Sequence, residues 1–234
     1  MTGILYGVGL GPGDPELMTL KAHRLISAAD VIAYPAPAGG DSFARAIADS
    51  AIRADATEVV IPIPMDVRRF PAQEIYDKAA QDIRAHLDAG RSVVTLCEGD
   101  PFFYGSFMYL FARLADEYSC EIVPGVASMT ACAAAAASPL CARNEVLTVI
   151  PGPVSEAELR ARLMGSGAAA IMKVGRHLPK LRAVIEDLGL TPRATYVARA
   201  TLGAEIVSPL ADAPDTAPYF SMILIAGSDP YAMR

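Results

Sequence analysis

The sequence predicts an α/β protein of two αβ domains, and three observations carry that expectation. Short β-branched runs alternate with alanine-rich helical segments along the chain, the pattern of strands joined by crossover helices. The length of 234 residues with 53% hydrophobic composition can fill one large core or two small ones. After "CEIVPGV" (120–126) the strands are spaced farther apart and read as partly antiparallel. The expected division is therefore 1–124, an αβ domain with a mostly parallel sheet, and 125–234, an αβ domain with a mixed sheet.

Each element follows from its pattern. "ILYGVGL" (4–10) reads as a strand, and residues 16–29 as a helix with Leu17, Leu20, Leu25 and Ile26 on one side. "VIAY" (31–34) is a second strand, followed by a Pro/Gly loop at 35–40. Residues 42–54 are helical, and "EVVIPIP" (58–64) is strand-like but interrupted by proline. Residues 72–90 form the clearest amphipathic helix, with Gly90 closing it as a C-cap. "SVVTLC" (92–97) is a buried strand. In the second half, a helix over 127–137 is followed by the strands "EVLTVIPG", "AAAIMKVG", "RATYVARA" and "YFSMILIAG".

Composition narrows the function. No apolar run reaches the ~18–20 residues that span a bilayer, so no membrane partner is expected. "MTGILYGVGLGPG" lacks a basic n-region and meets glycine too early for a signal peptide. Cys97, Cys120, Cys132 and Cys141 are scattered with no CxxC, which indicates neither a zinc cage nor a disulfide framework. These features predict a reduced, cytoplasmic protein without a metal site. The balance of 26 acidic against 20 basic residues gives a net charge of −6, with no Lys/Arg run to track phosphates, and predicts no nucleic-acid partner.

Three polar loops carry the candidate chemistry. In "GVGLGPGDPE" (7–16) four glycines invite a dinucleotide reading, but a GxGxxG from Gly7 meets Pro12 and one from Gly9 meets Asp14. Asp14 with Pro15 reads as a helix start, while the glycines suggest close backbone approach to a ligand. In "TLCEGDPFFYGS" (95–106), Glu98, Gly99 and Asp100 stand beyond the carboxyl end of a buried strand, where open α/β sheets bind ligands. Asp100-Pro101 also suits a helix start, with Phe102, Phe103 and Tyr104 as candidate core. "VPGVASMTA" (123–131) is a third strand-to-helix turn with small residues at the helix start.

Taken together, "VGLGPGDPELMTLKA", "CEGDPFFYGS" and "VPGVASMTA", followed by "MKVGR", "YVARAT" and "YFSMILIAG", resemble the tetrapyrrole (corrin/porphyrin) methyltransferase family over nearly the whole chain. The resemblance implies the family's class III methyltransferase fold and a homodimer, with S-adenosylmethionine held in a cleft between two αβ domains. Carried over position by position, it assigns the cofactor to Pro12, Glu98, Gly99, Asp100, Phe103, Ala127, Ser128, Met172 and Ala200. "LCEGDPFFYGSFMYL" and "YFSMILI" are most similar to members that methylate the C20 meso carbon of precorrin-2 in cobalamin synthesis. Members acting on uroporphyrinogen carry an aspartate after the tyrosine ending the second strand; here Pro35 follows Tyr34.

The chemistry needs alignment more than acid or base groups, because a sulfonium methyl is already activated. Candidate proton acceptors are Glu98, Tyr104, Tyr34 and Asp41, and no catalytic residue is singled out among them. Candidate cations for substrate carboxylates are Arg45, Arg68, Arg69, Arg176, His177 and Arg199. The macrocycle can be metal-free precorrin-2 or cobalt-factor II. Competing readings are an RNA or diphthamide methyltransferase of the same architecture and a nucleotide-binding oxidoreductase, the latter opposed by the failed glycine register.

Overall fold

Strands apolar on both sides need a layer of helices on each face, and the computed structural model shows that arrangement twice. Residues 2–64 and 73–227 are described. The chain divides into two units, Met1–Ala127 and Ser128–Arg234.

In the first unit, β1 (Leu5–Gly9), β2 (Val31–Pro37), β3 (Thr57–Ile63), β4 (Val93–Cys97) and β5 (Cys120–Val123) form a sheet in the order β3-β2-β4-β1-β5. Every pairing is parallel. Central β4 is buried along its length: Val93 and Cys97 face one apolar layer, Val94 and Leu96 the other. The first layer comes from α3 (Gln73–Asp88) and α4 (Phe107–Leu114), the second from α1 (Leu20–Ala28) and α2 (Phe43–Ala48). On α3 the buried residues Tyr76, Ala79, Ala80, Ile83 and Leu87 keep the spacing of one helical face.

The first helix starts later than its sequence pattern predicts. Asp14 accepts from the Glu16 N–H at 2.9 Å, but it caps only a one-turn 3-10 helix, Pro15–Leu17. The chain becomes extended at Met18, and Thr19 caps α1 by accepting from the Ala22 N–H at 3.1 Å. Leu20, expected on the apolar stripe, is 91% exposed; Ala22 and Ile26 are the buried residues. β2 runs past Tyr34, through two prolines. The Ala38 N–H donates to Ile63 O at 3.1 Å, so the alternate positions Pro35 and Pro37 face away from β3. Pairing with β4 ends at Ala33, so the donors these prolines lack are not needed there.

The second unit holds β6 (Leu147–Pro151), β7 (Ala168–Met172), β8 (Ala194–Ala198), β9 (Ile206–Pro209) and β10 (Ser221–Ile225), ordered β6-β7-β10-β8-β9. β6 and β7 are parallel and the other pairs antiparallel, so the sheet is mixed. α6 (Glu156–Leu163) and α7 (Leu178–Asp187) cover the face that carries Ile171, Tyr196 and Ile223. α5 (Ser128–Ala135) covers the face that carries Ala170, Val197, Met222 and Leu224. β9 was not expected from sequence. It is a four-residue edge strand with little burial, too short to show an alternating signal.

Two helices end in the same hydrogen-bond pattern on different residues. After α3 the Arg91 N–H bonds His86 O and the Gly90 N–H bonds Leu87 O, with Gly90 at φ +78°. After α5 the Ser138 N–H bonds Ala133 O and the Ala137 N–H bonds Ala134 O, with Ala137 at φ +47°. Both are Schellman ends, but the second places a Cβ where glycine is preferred. Gly90→Ala should therefore destabilise the protein by ~1 kcal/mol, and Ala137→Gly should stabilise it by ~0.5–1 kcal/mol. Urea unfolding of both variants checks this; shifts of the same sign would refute the assignment.

Candidate functional site

The three loops that sequence singled out leave the carboxyl ends of the adjacent strands β4, β1 and β5, and the structure ties them to one another. The Leu10 N–H donates to Cys97 O at 2.9 Å. Gly11 and Gly99 then exchange backbone hydrogen bonds, 2.7 Å from the Gly99 N–H and 3.3 Å from the Gly11 N–H. The third loop packs on this crossing. A Cβ on Gly9 would lie 2.6 Å from the Gly125 nitrogen and 2.7 Å from Gly99 O, and a Cβ on Gly125 would overlap Gly99 O. Gly9 and Gly125 thus have each other's backbone and Gly99 O as close neighbours, because loops leaving neighbouring strands cross at strand spacing.

Asp100 clasps the crossing. One carboxylate oxygen accepts from the Phe102 N–H at 2.9 Å, and the other accepts from the Gly125 N–H at 3.1 Å. The first bond is a local Asx turn; the second joins the β4 loop to the β5 loop, a role that sequence reading missed. No α-helix begins at Asp100-Pro101: α4 starts at Phe107. The aromatic trio is not core, since Phe102 and Tyr104 are exposed and Phe103 is half-buried; Phe107 is the buried ring. Pro12 lies in the β1 loop, and Ala127 ends the β5 loop.

Burial raises the Glu98 carboxyl above the usual range, opposed by the backbone of Glu98 itself and of Ala44 at the start of α2. Its neighbour Cys97 is pushed up to about 12, by burial first and then by the Glu98 charge, so the thiol is protonated at neutral pH.

The remaining candidates of this unit surround a depression of about 540 Å³ lined by Tyr34, Asp41, Ser42 and Arg45, among others. The Arg45 guanidinium meets both Glu58 oxygens at 3.1 Å and also pairs with Asp49. It holds the Glu58 carboxyl below its ordinary value, assisted by the Tyr34 hydroxyl. Burial and the Glu58 partner raise the Tyr34 phenol, whose O–H donates to that carboxylate. Tyr34 is thus a donor in this setting, and Arg45 is already engaged. Arg68 and Arg69 lie outside the described residues.

In the second unit, Ser128 is the first residue of α5, Met172 ends β7 and Ala200 follows β8. Met172 and Ala200 share the apolar layer under α5 with Cys132 and Met222. Arg176 and His177 lie in a 3-10 turn after β7; burial, then Lys180 and Arg176, lowers the His177 pKa. Among the described residues no three His, Cys, Asp or Glu side chains gather as a metal-binding set, and no helix is long and apolar enough to cross a membrane.

The clasp makes a direct prediction. Asp100→Ala loses two charge-assisted bonds and should lower the stability of the folded chain by ~2–3 kcal/mol. Asp100→Asn keeps one acceptor and should lose about half of that. Denaturant unfolding measures both, and equal losses in the two variants would show that the bond kept by asparagine contributes nothing.

A family model for Tetrapyrrole (Corrin/Porphyrin) Methylases matches residues 4–213. The chain is 43% identical over 234 residues to a precorrin-2 C(20)-methyltransferase of Sinorhizobium sp, covering 96% of each. It is 32% identical over 237 residues to a cobalt-precorrin-2 C(20)-methyltransferase of Salmonella typhimurium, covering 99% of this chain and all of that one. A solved uroporphyrin-III C-methyl transferase of Thermus thermophilus, complexed with S-adenyl homocysteine, superposes with a TM-score of 0.68 at 23% identity, over 99% of this chain and 94% of that one. The chain belongs to the tetrapyrrole (corrin/porphyrin) methyltransferase family.

Proposed function

We propose that the protein transfers a methyl group from S-adenosylmethionine to the C20 meso carbon of precorrin-2, giving precorrin-3A, S-adenosylhomocysteine and a released proton. One observation carries the proposal: the similarity to the Sinorhizobium enzyme extends over nearly the full length of both chains. Identity to the relative named for the cobalt-bearing substrate is lower, 32% against 43%, which favours the metal-free macrocycle.

The residues fit the cofactor. At Gly9 and Gly125 the loops are packed so closely that an added Cβ would collide. Pro12 and Phe103, both partly exposed, offer apolar surface of the kind that takes an adenine ring. Pro12, Glu98, Gly99, Phe103, Ala127, Ser128, Met172 and Ala200 are assigned to cofactor contact, and Asp100 to holding the β4 and β5 loops in place. When bound, the cofactor supplies an electrophilic methyl group, so the protein's task is alignment. The chain's contribution is a rigid lip: a backbone crossing with few rotatable groups fixes where the donor sits. No side chain is assigned as proton acceptor, and Tyr34 is unsuited because its phenol is raised and donates to Glu58.

We further propose a cytoplasmic homodimer with no metal requirement and no nucleic-acid partner. The cysteines are all free thiols, as a reducing compartment would keep them.

A ¹³C-methyl donor tests the reaction. With precorrin-2 under argon, one label should appear at C20 with a single methyl mass increment, and EDTA should leave the rate unchanged. Precorrin-2 should turn over faster than the cobalt form. Label on a pyrrole-ring carbon, or a strong preference for the cobalt macrocycle, would contradict the assignment.

A further inference from the structure

The second unit gathers an unusual set of side chains at one edge of its sheet. β10 runs antiparallel to both neighbours, pairing Met222 with Met172 of β7 and Ser221 with Ala198 of β8. The carboxyl ends of β7 and β8 and the entrance to β10 therefore form a single edge. Tyr219 and Phe220, at that entrance, are 72% and 41% exposed, with rings 5.2 Å apart at 78°. Ile206 and Val207 of β9, paired with Ala198 and Val197, add exposed apolar surface.

Cations flank this surface. Arg199 follows β8 directly, and its N–H donates to Phe220 O at 2.8 Å. Its side chain is exposed, and neither Arg199 nor Arg176 has an ion pair among the described residues. Arg45, Arg53, Arg84, Arg113 and Arg160 are each paired with carboxylates. The loops that present these cations also hold Lys173, Arg199 and Thr201 at φ +56°, +52° and +70°. Left-handed backbone is uncommon outside glycine and most costly for β-branched Thr201. The turn is held by bonds from the Thr201 N–H to Glu205 at 2.7 Å and from the Leu202 N–H to Arg199 O at 3.0 Å.

We infer that this edge receives the tetrapyrrole: Tyr219 and Phe220 meet an apolar part of the macrocycle, and Arg199 and Arg176 take its peripheral carboxylates. The inference rests on the methyl-transfer reading for its substrate class and adds the residues that hold that substrate. A flat ring system rimmed by carboxylates needs aromatic surface bordered by fixed positive charge. Guanidinium groups suit the rim because they pair with carboxylates through two parallel hydrogen bonds.

Titration with uroporphyrin III, a stable planar polycarboxylate, tests this independently of turnover. Arg199→Ala and Tyr219→Ala should each bind about tenfold more weakly, the ~1.4 kcal/mol of one charge-assisted hydrogen bond or aromatic contact. Arg199→Lys should lie between Arg199→Ala and the native protein, and Tyr219→Phe should bind normally. Arg24→Ala, removing an exposed arginine of α1, should change nothing. S-adenosylhomocysteine affinity should stay within about twofold in every variant, well under one hydrogen bond. Failure of the native protein to bind uroporphyrin III, or undiminished binding by both alanine variants, would overturn the inference. So would loss of binding that follows a change in sedimentation, which would mark the edge as a contact between copies of the chain. If the native protein fails to methylate precorrin-2 while Arg199-dependent binding stands, the assigned reaction falls and the binding edge remains.

Discussion

Everything proposed for the first unit depends on the backbone crossing beyond β1, β4 and β5. Neighbouring strands lie only ~4.8 Å apart, so loops that leave adjacent strand ends and turn to opposite faces must pass each other almost in contact. Gly9 and Gly125 make that passage possible by lacking a Cβ, and the Gly11–Gly99 pair converts it into hydrogen bonds. Asp100 then fixes the third loop against the second. A parallel sheet with helices on both faces produces such crossings wherever helix sides alternate between neighbouring strands, and ligands gather there. Here α1 and α4 follow adjacent strands to opposite faces.

At Gly9 and Gly125 the missing side chain has an immediate structural cause. It allows protein backbone to meet protein backbone, leaving a lip with few movable side chains. A rigid lip is what an alignment-limited transfer needs, because a reaction with an already activated group gains most from fixed geometry.

Local signals were legible in the sequence, and long-range ones were not. The amphipathic spacing of α3 and its Gly90 end lie within a few residues and were read correctly. Asp14 with Pro15 did mark a capped turn, but Thr19 takes over five residues later, and no local rule says which cap begins the longer helix. The Asp100–Gly125 bond spans 25 residues, so the sequence marks Asp100 as a ligand-lip and helix-start residue but not as a link between two loops. Ala137 takes a left-handed end that its residue type disfavours, and β9 is short and mostly exposed; neither leaves a periodic trace. "YFSMILIAG" was read as a strand, which holds from Ser221. That its first two rings stay exposed beside Arg199 emerges only from the pairing of β10 with β8.

The central claim is that the loop crossing builds the cofactor site, and calorimetric titration of native protein and Gly125→Ala tests it most directly. The substitution places a Cβ against Gly99 O and Gly9 and must part the loops while leaving the sheet intact. Native protein should bind S-adenosylhomocysteine and not NADH. Gly125→Ala, verified as folded by circular dichroism, should bind S-adenosylhomocysteine at least about tenfold more weakly, a loss of ~1.4 kcal/mol. Equal affinity in the two proteins, or binding of NADH in preference, would contradict the account.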